Sequence, residues 1–334
     1  MRILIISDAW HPQVNGVVVT LEMLAQELQS LGHVVEVIGP DRFRTVSMPS
    51  YRSIHLAVMP SSRLVPMIEA FEPQAVHIAT EGPLGWAARR WAIRTGTEFT
   101  TSFHTRFPEY LHARARVPVP LSYAFLRGFH GRARGTMVAT FSLRRELAGR
   151  GFNNLLPWSR GVDLQRFRPG DRHVWPWPGP IFLYVGRLAV EKNVAGFLAL
   201  DLPGTKVVVG DGPQRALLEA AYPQAKFIGE QRGAALARAY AGADVFVFPS
   251  VTDTFGLVLL ESLACGTPIA ALPVTGPADI LANAGPGVGA LDTDLRAAAL
   301  RALGGDRVAA RAHAERFSWR ACAELFCSNL VATS

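Results

Sequence analysis

The chain has 334 residues, of which 49% are hydrophobic and 18% are charged, so it is not an intrinsically disordered protein and is long enough for two domains with cores of their own. No apolar run reaches the roughly 18 residues that a membrane-spanning helix needs. The formal net charge is +7, and the three cysteines lack the spacing of zinc ligands, a usage that indicates a reducing, cytoplasmic environment.

The first apolar segment, residues 2–7, predicts a strand and not a signal peptide, because polar residues interrupt it at once. A loop containing Asn15 and Gly16 then leads into an amphipathic helix over residues 17–31, and residues 33–38 predict the next strand. This order is a βαβ unit of a parallel sheet, and its first loop lies at the edge where such sheets bind ligands. A tight turn is nevertheless the default interpretation of a lone glycine.

Two further strands of the first half end in polar residues. Residues 75–79 are followed by Glu81, and residues 98–102 are followed by His104. A histidine at the carboxyl end of a parallel strand is a candidate site residue. Taken alone, His104 fits a structural histidine better, and Glu81 could equally be a surface acid at the start of a helix.

The basic residues are concentrated in the first half of the chain. Residues 1–170 contain 20 Lys or Arg against 12 Asp or Glu, and segment 106–150 alone holds nine Arg against Glu109 and Glu146. Apolar and aromatic residues alternate with these arginines, which predicts a surface that could lie on anionic lipid headgroups. Ordinary helices with exposed arginines explain the segment equally well. No recognition motif supports nucleic-acid binding.

A stretch rich in proline and glycine, residues 170–180, predicts the boundary between the two domains. The N-terminal domain then covers residues 1–170 and the C-terminal domain residues 171–316, with a last helix within 317–334. The second half repeats the alternation of strands and helices.

The turns of the second half carry the strongest phosphate candidates. A predicted strand over residues 181–185 runs into Gly186, and Arg187 and Lys192 flank the turn that follows. Arginine offers a planar fork that matches phosphate oxygens, and lysine offers a compact charge. Either side chain could be a plain surface cation, but two of them around one strand-to-helix turn are more specific.

The most informative stretch follows the predicted strand 244–248. It runs from Asp253 into a helix that begins near Gly256, so that the amides of the first turn and the helix dipole offer a seat for a phosphate or a sugar. Glu261 lies more than one turn further on. From residue types alone, Asp253 or Thr254 could be a helix cap and Glu261 a solvated acid.

These motifs resemble those of the retaining glycosyltransferases of family 4, which have the GT-B fold. The resemblance rests on Gly186-Arg187-x4-Lys192, on Gly210-Asp211-Gly212-Pro213 and on Asp253-x-Phe255-Gly256-x4-Glu261, where the family's usual first acid is glutamate. It spans nearly the whole chain and is closest to bacterial mannosyltransferases and lipid glycosyltransferases. It implies an α/β protein with two Rossmann-like domains, whose parallel sheets face each other across a cleft, and a terminal helix 317–334 that packs back on the N-terminal domain.

The resemblance also assigns roles to individual residues. It implies that Asp253 faces the donor sugar, that Glu261 holds the ribose and that Arg187 and Lys192 neutralise the leaving diphosphate. With His104 beside the transferred sugar, these make the predicted catalytic set of His104, Arg187, Lys192 and Asp253. The predicted donor-binding set is Asn15, Gly16, Gly186, Gly210, Gly229, Glu230, Thr254, Phe255, Gly256, Leu257 and Glu261. Glu81 and His11 are assigned to the acceptor side.

The implied reaction moves a hexose from a nucleotide-diphosphate sugar, GDP-mannose or a UDP-sugar, to a lipid or glycan acceptor. Cationic side chains and helix N-termini can stabilise the leaving diphosphate, so no divalent ion is expected to be required. The only Asp-x-Asp pair, Asp292 and Asp294, is explained by helix capping. The chain is expected in the cytoplasm, with contact to the inner face of an anionic membrane through 106–150 as an open alternative.

Two other classes of protein stay open at this point. A nucleotide- or phosphate-binding α/β protein without transferase activity would use the same turns. A dinucleotide-dependent oxidoreductase is disfavoured, because no Gly-x-Gly-x-x-Gly follows the first strand.

Overall fold

The computed structural model describes residues 1–13, 15–48, 51–251, 253 and 255–333. These residues form two compact units. Unit 1 consists of Met1–Arg160 together with Trp319–Ser334, and unit 2 consists of Gly161–Ser318. The division therefore falls between Arg160 and Gly161, ahead of the proline-rich stretch in which the sequence analysis placed it.

Each unit alternates strands and helices along the chain. The strands of unit 1 are β1 (Arg2–Ile6), β2 (Val34–Ile38), β3 (Thr45–Met48), β4 (Tyr51–Ala57), β5 (Ala75–Ile78), β6 (Thr100–Phe103), β7 (Gly135–Val138) and β8 (Leu155–Pro157). Its helices are α1 (Gly16–Ser30), α2 (Ser61–Phe71), α3 (Pro83–Thr95), α4 (Phe107–Ala115), α5 (Val119–His130), α6 (Phe141–Gly149) and, from the end of the chain, α14 (Trp319–Asn329).

Unit 2 has the same kind of alternation. Its strands are β9 (Ile181–Val185), β10 (Thr205–Val209), β11 (Lys226–Phe227), β12 (Val245–Phe248), β13 (Ile269–Ala271) and β14 (Gly289–Leu291). Its helices are α7 (Val194–Leu198), α8 (Arg215–Ala221), α9 (Gly233–Ala241), α10 (Leu257–Ala264), α11 (Thr275–Leu281), α12 (Leu295–Ala302) and α13 (Arg307–Ala314).

The sheet of unit 1 is parallel, with six strands in the order β2-β1-β5-β6-β7-β8, and β3 and β4 form a separate antiparallel hairpin. Strands β5, β6 and β7 are buried along their whole length, because helices cover both faces of such a sheet. Leu4 and Ile6 pack with Val76 and Ile78 in the core, all fully buried. Strand order reverses between β1 and β5, which is the position where open α/β sheets bind ligands.

The sheet of unit 2 is also parallel and has the order β11-β10-β9-β12-β13-β14. Numbered within the unit, this is the 3-2-1-4-5-6 order of a dinucleotide-type Rossmann fold. Its core is built on Phe182, Val208 and Val245, with Phe197 and Leu295 supplied by the covering helices. The order reverses between β9 and β12. The predicted α/β fold with two Rossmann-like halves is thus confirmed.

The last helix, α14, belongs to unit 1 and packs against α1. Phe326 is fully buried, and its ring meets the ring of His77 at a centroid distance of 4.9 Å. The Cys327 thiol lies 3.5 Å from Nε2 of His33. The chain thus leaves unit 1, builds unit 2 and returns to complete the first core.

Candidate active site

The predicted phosphate residues follow the two strands at the reversal point of unit 2. Gly186 and Arg187 come directly after β9, and Asp253 comes after β12. Gly186 has a φ of +153° and Gly210 a φ of +139°, values that disfavour any residue with a side chain. A Cβ on Gly210 would meet the carbonyl oxygen of Gly186 at 1.9 Å. The two turns therefore pack backbone against backbone, which fixes where Arg187 begins.

The turn after β9 is stabilised by Tyr184, a buried tyrosine of that strand. Tyr184 is 2% exposed, and its hydroxyl donates to the carbonyl oxygen of Arg187 at 2.9 Å. Burial raises the pKa of Tyr184, and the nearby carboxylates of Asp253 and Glu191 raise it further, so the hydroxyl keeps its proton. Sequence reasoning missed Tyr184; the only signal was a hydroxyl in an otherwise apolar strand.

Lys192 and Asp253 form a close ion pair, although 60 positions of sequence lie between them. Lys192 Nζ lies 2.5 Å from Oδ1 of Asp253, and the two side chains are 24% and 16% exposed. Among the described residues nothing hydrogen-bonds the second oxygen, Oδ2, which is buried. A buried carboxylate oxygen without a donor is uncommon and calls for a ligand or another explanation. The structure thus brings together two of the four predicted catalytic residues.

Glu261 lies on α10 and faces a second tyrosine. The hydroxyl of Tyr240, a fully buried residue, donates to Oε2 of Glu261 at 2.9 Å. Burial raises the pKa of Glu261 to about 7, while the hydrogen bond from Tyr240 and the charge of Arg166 oppose that rise. Glu261 is therefore no solvated helix acid. Its carboxyl group titrates near neutral pH, as groups in functional sites often do.

The start of α10 has the expected form. Gly256 precedes the helix with a φ of +88°, and no side chain in the described part of the chain caps it. Leu257 is the first helical residue, and Phe255 is 6% exposed, so it anchors the turn in the core. Thr254, also predicted to bind the donor, lies outside the described residues.

The other predicted donor residues of unit 2 follow β11. The amide of Gly210 donates to the carbonyl oxygen of Gly229 at 2.9 Å, which joins two of the predicted turns. Glu230 pairs with Arg232 at 2.6 Å, and both side chains are exposed by about half or more.

Asp292 and Asp294 have structural roles. Asp294 caps α12 through the amide of Arg296, as predicted, and Asp292 pairs with Arg301 at 2.7 Å.

In unit 1 the reversal point is occupied by Asp8, which sequence reasoning did not select. It follows β1 and is 7% exposed. Its two oxygens accept from the amides of Leu84 at 2.8 Å and Gly85 at 3.2 Å, in the first turn of α3, and Oδ2 also accepts from the hydroxyl of Thr80. Burial nevertheless raises the pKa of Asp8 to about 6. The signal in the sequence was an acid directly after the first strand.

The predicted residues of the first loop have partners inside unit 1. Oδ1 of Asn15 accepts from the amides of Val17 at 2.9 Å and Val18 at 3.1 Å, so Asn15 is the N-cap of α1 and Gly16 is its first residue. His11 is half exposed, and its Nε2 lies 2.6 Å from Oε1 of Glu22, a residue of α1.

His104 lies in a buried polar network at the end of β6. Its Nε2 lies 2.8 Å from Oγ of Ser102, and its Nδ1 lies 3.2 Å from Nη2 of Arg160. Burial and then the charge of Arg160 hold the pKa of His104 well below its usual range. Glu81 has a related partner, because its Oε1 lies 3.0 Å from Nε2 of His130, which is fully buried.

Two searches of the described residues bear on other classes of site. No three His, Cys, Asp or Glu side chains within the described ranges are grouped as metal ligands. Across the same ranges, every helix is too short or too polar to cross a lipid bilayer.

Comparison with solved structures places the whole chain in one fold. Sucrose-phosphate synthase from Thermosynechococcus elongatus superposes with a TM-score of 0.75 over 98% of this chain and 97% of that one, at 21% identity. Alr3699/HepE of Anabaena, crystallised in complex with UDP and glucose, superposes with a TM-score of 0.71 over 98% of each chain, at 13% identity. Together with the two Rossmann-like units, these neighbours show the GT-B fold.

Comparison of sequences gives the family. A model described as Glycosyltransferase Family 4 matches residues 14–166, and one described as Glycosyl transferases group 1 matches residues 179–306. A GDP-mannose-dependent alpha-mannosyltransferase of Mycolicibacterium smegmatis is 34% identical over 88% of this chain and 85% of that protein. Sulfoquinovosyl transferase SQD2 of Arabidopsis thaliana is 30% identical over 83% of this chain and 60% of that protein. The chain is therefore a glycosyltransferase and belongs to glycosyltransferase family 4.

Proposed function

We propose that this glycosyltransferase moves mannose from GDP-mannose to a lipid or glycan acceptor, with retention at the anomeric carbon and without a required metal ion. Relatives named for GDP-mannose from Mycobacterium tuberculosis and Corynebacterium glutamicum, 32% and 29% identical, support the choice of donor. A second sugar, sulfoquinovose, is supported by the relative from Arabidopsis thaliana.

The observation that carries the proposal is the pair formed by Lys192 and Asp253 at the reversal point of unit 2. Lys192 brings a cation to the place where a diphosphate would lie. The buried Oδ2 of Asp253, which has no hydrogen-bond partner among the described residues, is an acceptor for a hydroxyl of the transferred sugar. Arg187, at the turn beside it, supplies the planar fork that matches phosphate oxygens.

In the proposed reaction, the residues of unit 2 mainly stabilise the leaving group. Breaking the glycosyl–phosphate bond develops negative charge on the diphosphate, and fixed cations in a partly buried site stabilise that charge without reorganisation. Arg187 and Lys192 supply such cations here, and the amides at the N-terminus of α10 add hydrogen-bond donors. Glu261, held by Tyr240, has an oxygen to accept from a ribose hydroxyl. In unit 1, His104, Glu81 and His11 are assigned to the transferred sugar and the acceptor.

The proposal includes retention without a covalent intermediate. We assign no nucleophilic role to Asp253, because its Oδ1 pairs with Lys192 and its Oδ2 is assigned to a hydroxyl of the transferred sugar. The departing phosphate oxygen would instead accept the proton of the attacking hydroxyl on the same face of the sugar. Product from α-linked GDP-mannose should then be an α-mannoside.

A transfer assay with the full chain tests the function. GDP-mannose, UDP-glucose and UDP-sulfoquinovose are each offered with a bacterial lipid extract, in chelator and in magnesium, and the product is analysed for its anomeric configuration by NMR. We expect transfer from GDP-mannose to an α-linked product, at equal rates with and without magnesium. Loss of turnover in chelator that magnesium restores would refute metal independence. Donor binding without turnover would point to a non-catalytic protein.

We further propose that unit 1 contacts an anionic membrane from the cytoplasmic side. Helix α5 buries Tyr123 and Leu126 but leaves Leu121 and Phe125 exposed by 64% and 54%. Phe141, at the start of α6, is 63% exposed, and the guanidinium of Arg144 lies over its ring at 5.6 Å. Exposed aromatic and aliphatic groups among arginines are the composition that anionic lipid surfaces attract.

The charge available to such a surface is smaller than the sequence suggests. Arg106 and Arg150 form ion pairs with Glu146 at 2.6 Å and 3.0 Å, and Arg127 donates to the carbonyl oxygen of Arg150. These three arginines hold α4, α5 and α6 together. Three of the nine arginines of segment 106–150 are thus already engaged within unit 1.

Co-sedimentation with vesicles of phosphatidylglycerol or phosphatidylcholine tests this contact. The double variant Leu121→Ser with Phe125→Ser should lose most of the binding to the anionic vesicles, whereas Leu217→Ser, a change at an equally exposed leucine of α8, should not. Equal sedimentation of the double variant and the wild type would refute the proposed surface.

A further inference from the structure

Arg160 is a buried arginine that contacts the candidate site residue His104. It is 4% exposed, and in the described part of the chain no carboxylate forms an ion pair with it. Its Nη1 donates to the carbonyl oxygen of Ser159 at 2.9 Å, and its guanidinium lies over the ring of Trp158 at 4.0 Å. A buried cation without a counter-ion is costly, so its retention calls for a function.

Nη1 also donates to the carbonyl oxygen of Trp158 at 3.4 Å, and the other terminal nitrogen of Arg160 is directed at His104. Nη2 lies 3.2 Å from Nδ1 of the imidazole. Because a guanidinium has donors and no acceptor, Nδ1 must be the acceptor and cannot carry a proton. The neutral ring then has its proton on Nε2, which lies 2.8 Å from Oγ of Ser102. These two contacts of His104 are compatible with one tautomer of the neutral ring.

Ser102 has further hydrogen-bond partners that fix its side chain. Ser102 is fully buried, and its Oγ donates to the carbonyl oxygen of Ala79 at 3.2 Å or to Nε2 of His77 at 3.0 Å. Either donation leaves Oγ a lone pair for the proton of His104. Nδ1 of His77 is in turn 2.9 Å from the hydroxyl of Thr100. Every residue of this hydrogen-bond network lies in unit 1, on or next to β5 and β6 or just after β8.

We propose that Arg160 is a positioning residue for the transfer reaction, which fixes the ring plane of His104 and holds it as the neutral tautomer protonated on Nε2. This inference rests on the proposed function insofar as it concerns catalysis. It assigns His104 an oriented, neutral role beside the sugar and removes it as a base, because a protonated imidazole would set two donors face to face at Nδ1. The proton of the acceptor hydroxyl therefore goes elsewhere, in line with its transfer to the departing phosphate oxygen.

The surroundings of His104 agree with this assignment. Burial is the main cause that disfavours a charged imidazole. The charge of Arg160 acts in the same direction, as would protonation of either buried neighbour, His77 or His130. Burial also lowers the pKa of Arg160, but only to about 10, so the guanidinium stays charged at neutral pH.

The test combines nitrogen NMR with kinetics on the full chain. Protein labelled with ¹⁵N-histidine gives the protonation of both ring nitrogens, and the signals of His104 are assigned as those missing from His104→Gln. Arg160→Lys keeps a donor at Nδ1, and Arg160→Met removes it. Arg307→Met is the control, because Arg307 is a half-buried arginine of unit 2 that also donates to backbone carbonyls, of Ala241 and Ala243, at 2.7 Å.

In the wild type and in Arg160→Lys we expect His104 to be protonated on Nε2 only and to stay neutral over the range in which histidines normally titrate. In Arg160→Met we expect exchange between tautomers and a pKa of His104 that rises but stays below its usual range, because the burial of the ring remains. Its kcat should fall roughly tenfold or more, with a steeper loss at acid pH, because a displaced group near the reacting atoms is enough for such a decrease. The KM for the donor should change little, and Arg307→Met should leave the His104 signals unchanged.

A wild-type His104 that is protonated on Nδ1, or that titrates normally, would overturn the proposal even if no variant folded. So would an Arg160→Met enzyme that retains the wild-type signals and pH profile. Failure of the proposed function is distinguishable, because absence of transfer from every donor would leave the tautomer measurement intact.

Discussion

The candidate residues of the two units differ in how they handle charge. In unit 2, Lys192 is paired with Asp253, and Glu261 is held by a tyrosine hydroxyl. In unit 1, His104 lies in a network of neutral hydroxyl and imidazole groups that contains one cation, Arg160. Opposite charges 2.5 Å apart suit a site that receives and releases an anion, whereas a network of neutral groups suits the orientation of uncharged hydroxyls.

This difference separates stabilisation of the leaving group from positioning of the sugar and acceptor. If it is correct, changes in unit 2 alter the chemical step and nucleotide affinity through charge. Changes in unit 1 alter orientation, pH response or stability. Four experiments, in decreasing order of expected effect, test the distinction.

The largest effect is expected for Lys192→Ala, with a decrease in kcat of about 10²- to 10³-fold, because a preorganised donor to the leaving diphosphate is lost. Steady-state kinetics with the preferred donor measure it. Lys226→Ala, at a lysine of β11 away from the reversal point, is the matched control and should keep most of the activity. A near-normal rate in Lys192→Ala would remove the phosphate role from unit 2.

Asp8 should give the largest effect on stability. Burial raises its folded pKa from 3.8 to about 6, so the folded state binds the proton more tightly than the unfolded state. Stability from this group is therefore present below pH 4 and is lost as pH rises towards 6, by about 3 kcal/mol in total.

Thermal unfolding between pH 4 and pH 7 measures this loss. Asp8→Asn should remove the part of the pH dependence of stability that Asp8 causes. Asp294→Asn, a change at the exposed N-cap of α12 in unit 2, should leave that part unchanged. Identical pH profiles for the wild type and Asp8→Asn would show that the carboxylate is fully compensated by the amides of α3.

Glu261 should set the pH dependence of donor affinity. Its pKa is raised to about 7, and the ionised form accepts better from a ribose hydroxyl, so affinity should rise roughly tenfold from pH 6 to pH 8. Calorimetric titration with the donor nucleotide measures this. Glu261→Gln should abolish the rise, and Tyr240→Phe should move its midpoint to higher pH, because the lost hydrogen bond normally lowers the pKa. Unchanged profiles in both would exclude Glu261 from the nucleotide site.

The smallest effect is expected at Asn15. Removal of an N-cap typically lowers stability by about 1 kcal/mol, so Asn15→Ala and Asp294→Ala should be destabilised alike in denaturant titrations. If Asn15 also contacts the donor diphosphate, only Asn15→Ala should show a higher KM for the donor. Equal KM values in both variants would leave Asn15 with capping alone.

The sequence predicted the fold well, because glycines, prolines and apolar runs report local structure directly. The turns at Gly186, Gly210 and Gly256 have the backbone angles that favour glycine, and motif spacing located Lys192 and Asp253. Their direct contact was not predictable, since it depends on two strands that are distant in sequence.

The residues that sequence reasoning missed share one property: their polar atoms act from inside the core. Tyr184 and Tyr240 lie within apolar segments, and Arg160 was part of a linker motif with no evident partner. Burial changes the meaning of such residues, and burial depends on the packing of the whole unit. The roles of the predicted site residues themselves stay predictions for the experiments above.

Unit 2 is one uninterrupted insertion within unit 1, and its two ends meet. The amide of Val162 donates to the carbonyl oxygen of Phe317 at 3.1 Å. Residues 161–318 could therefore be excised as a separate polypeptide whose termini lie side by side, and a short linker from Arg160 to Trp319 would close the remainder. Under the proposed roles of the two units, nucleotide recognition and acceptor recognition would then become separable properties of two half-proteins.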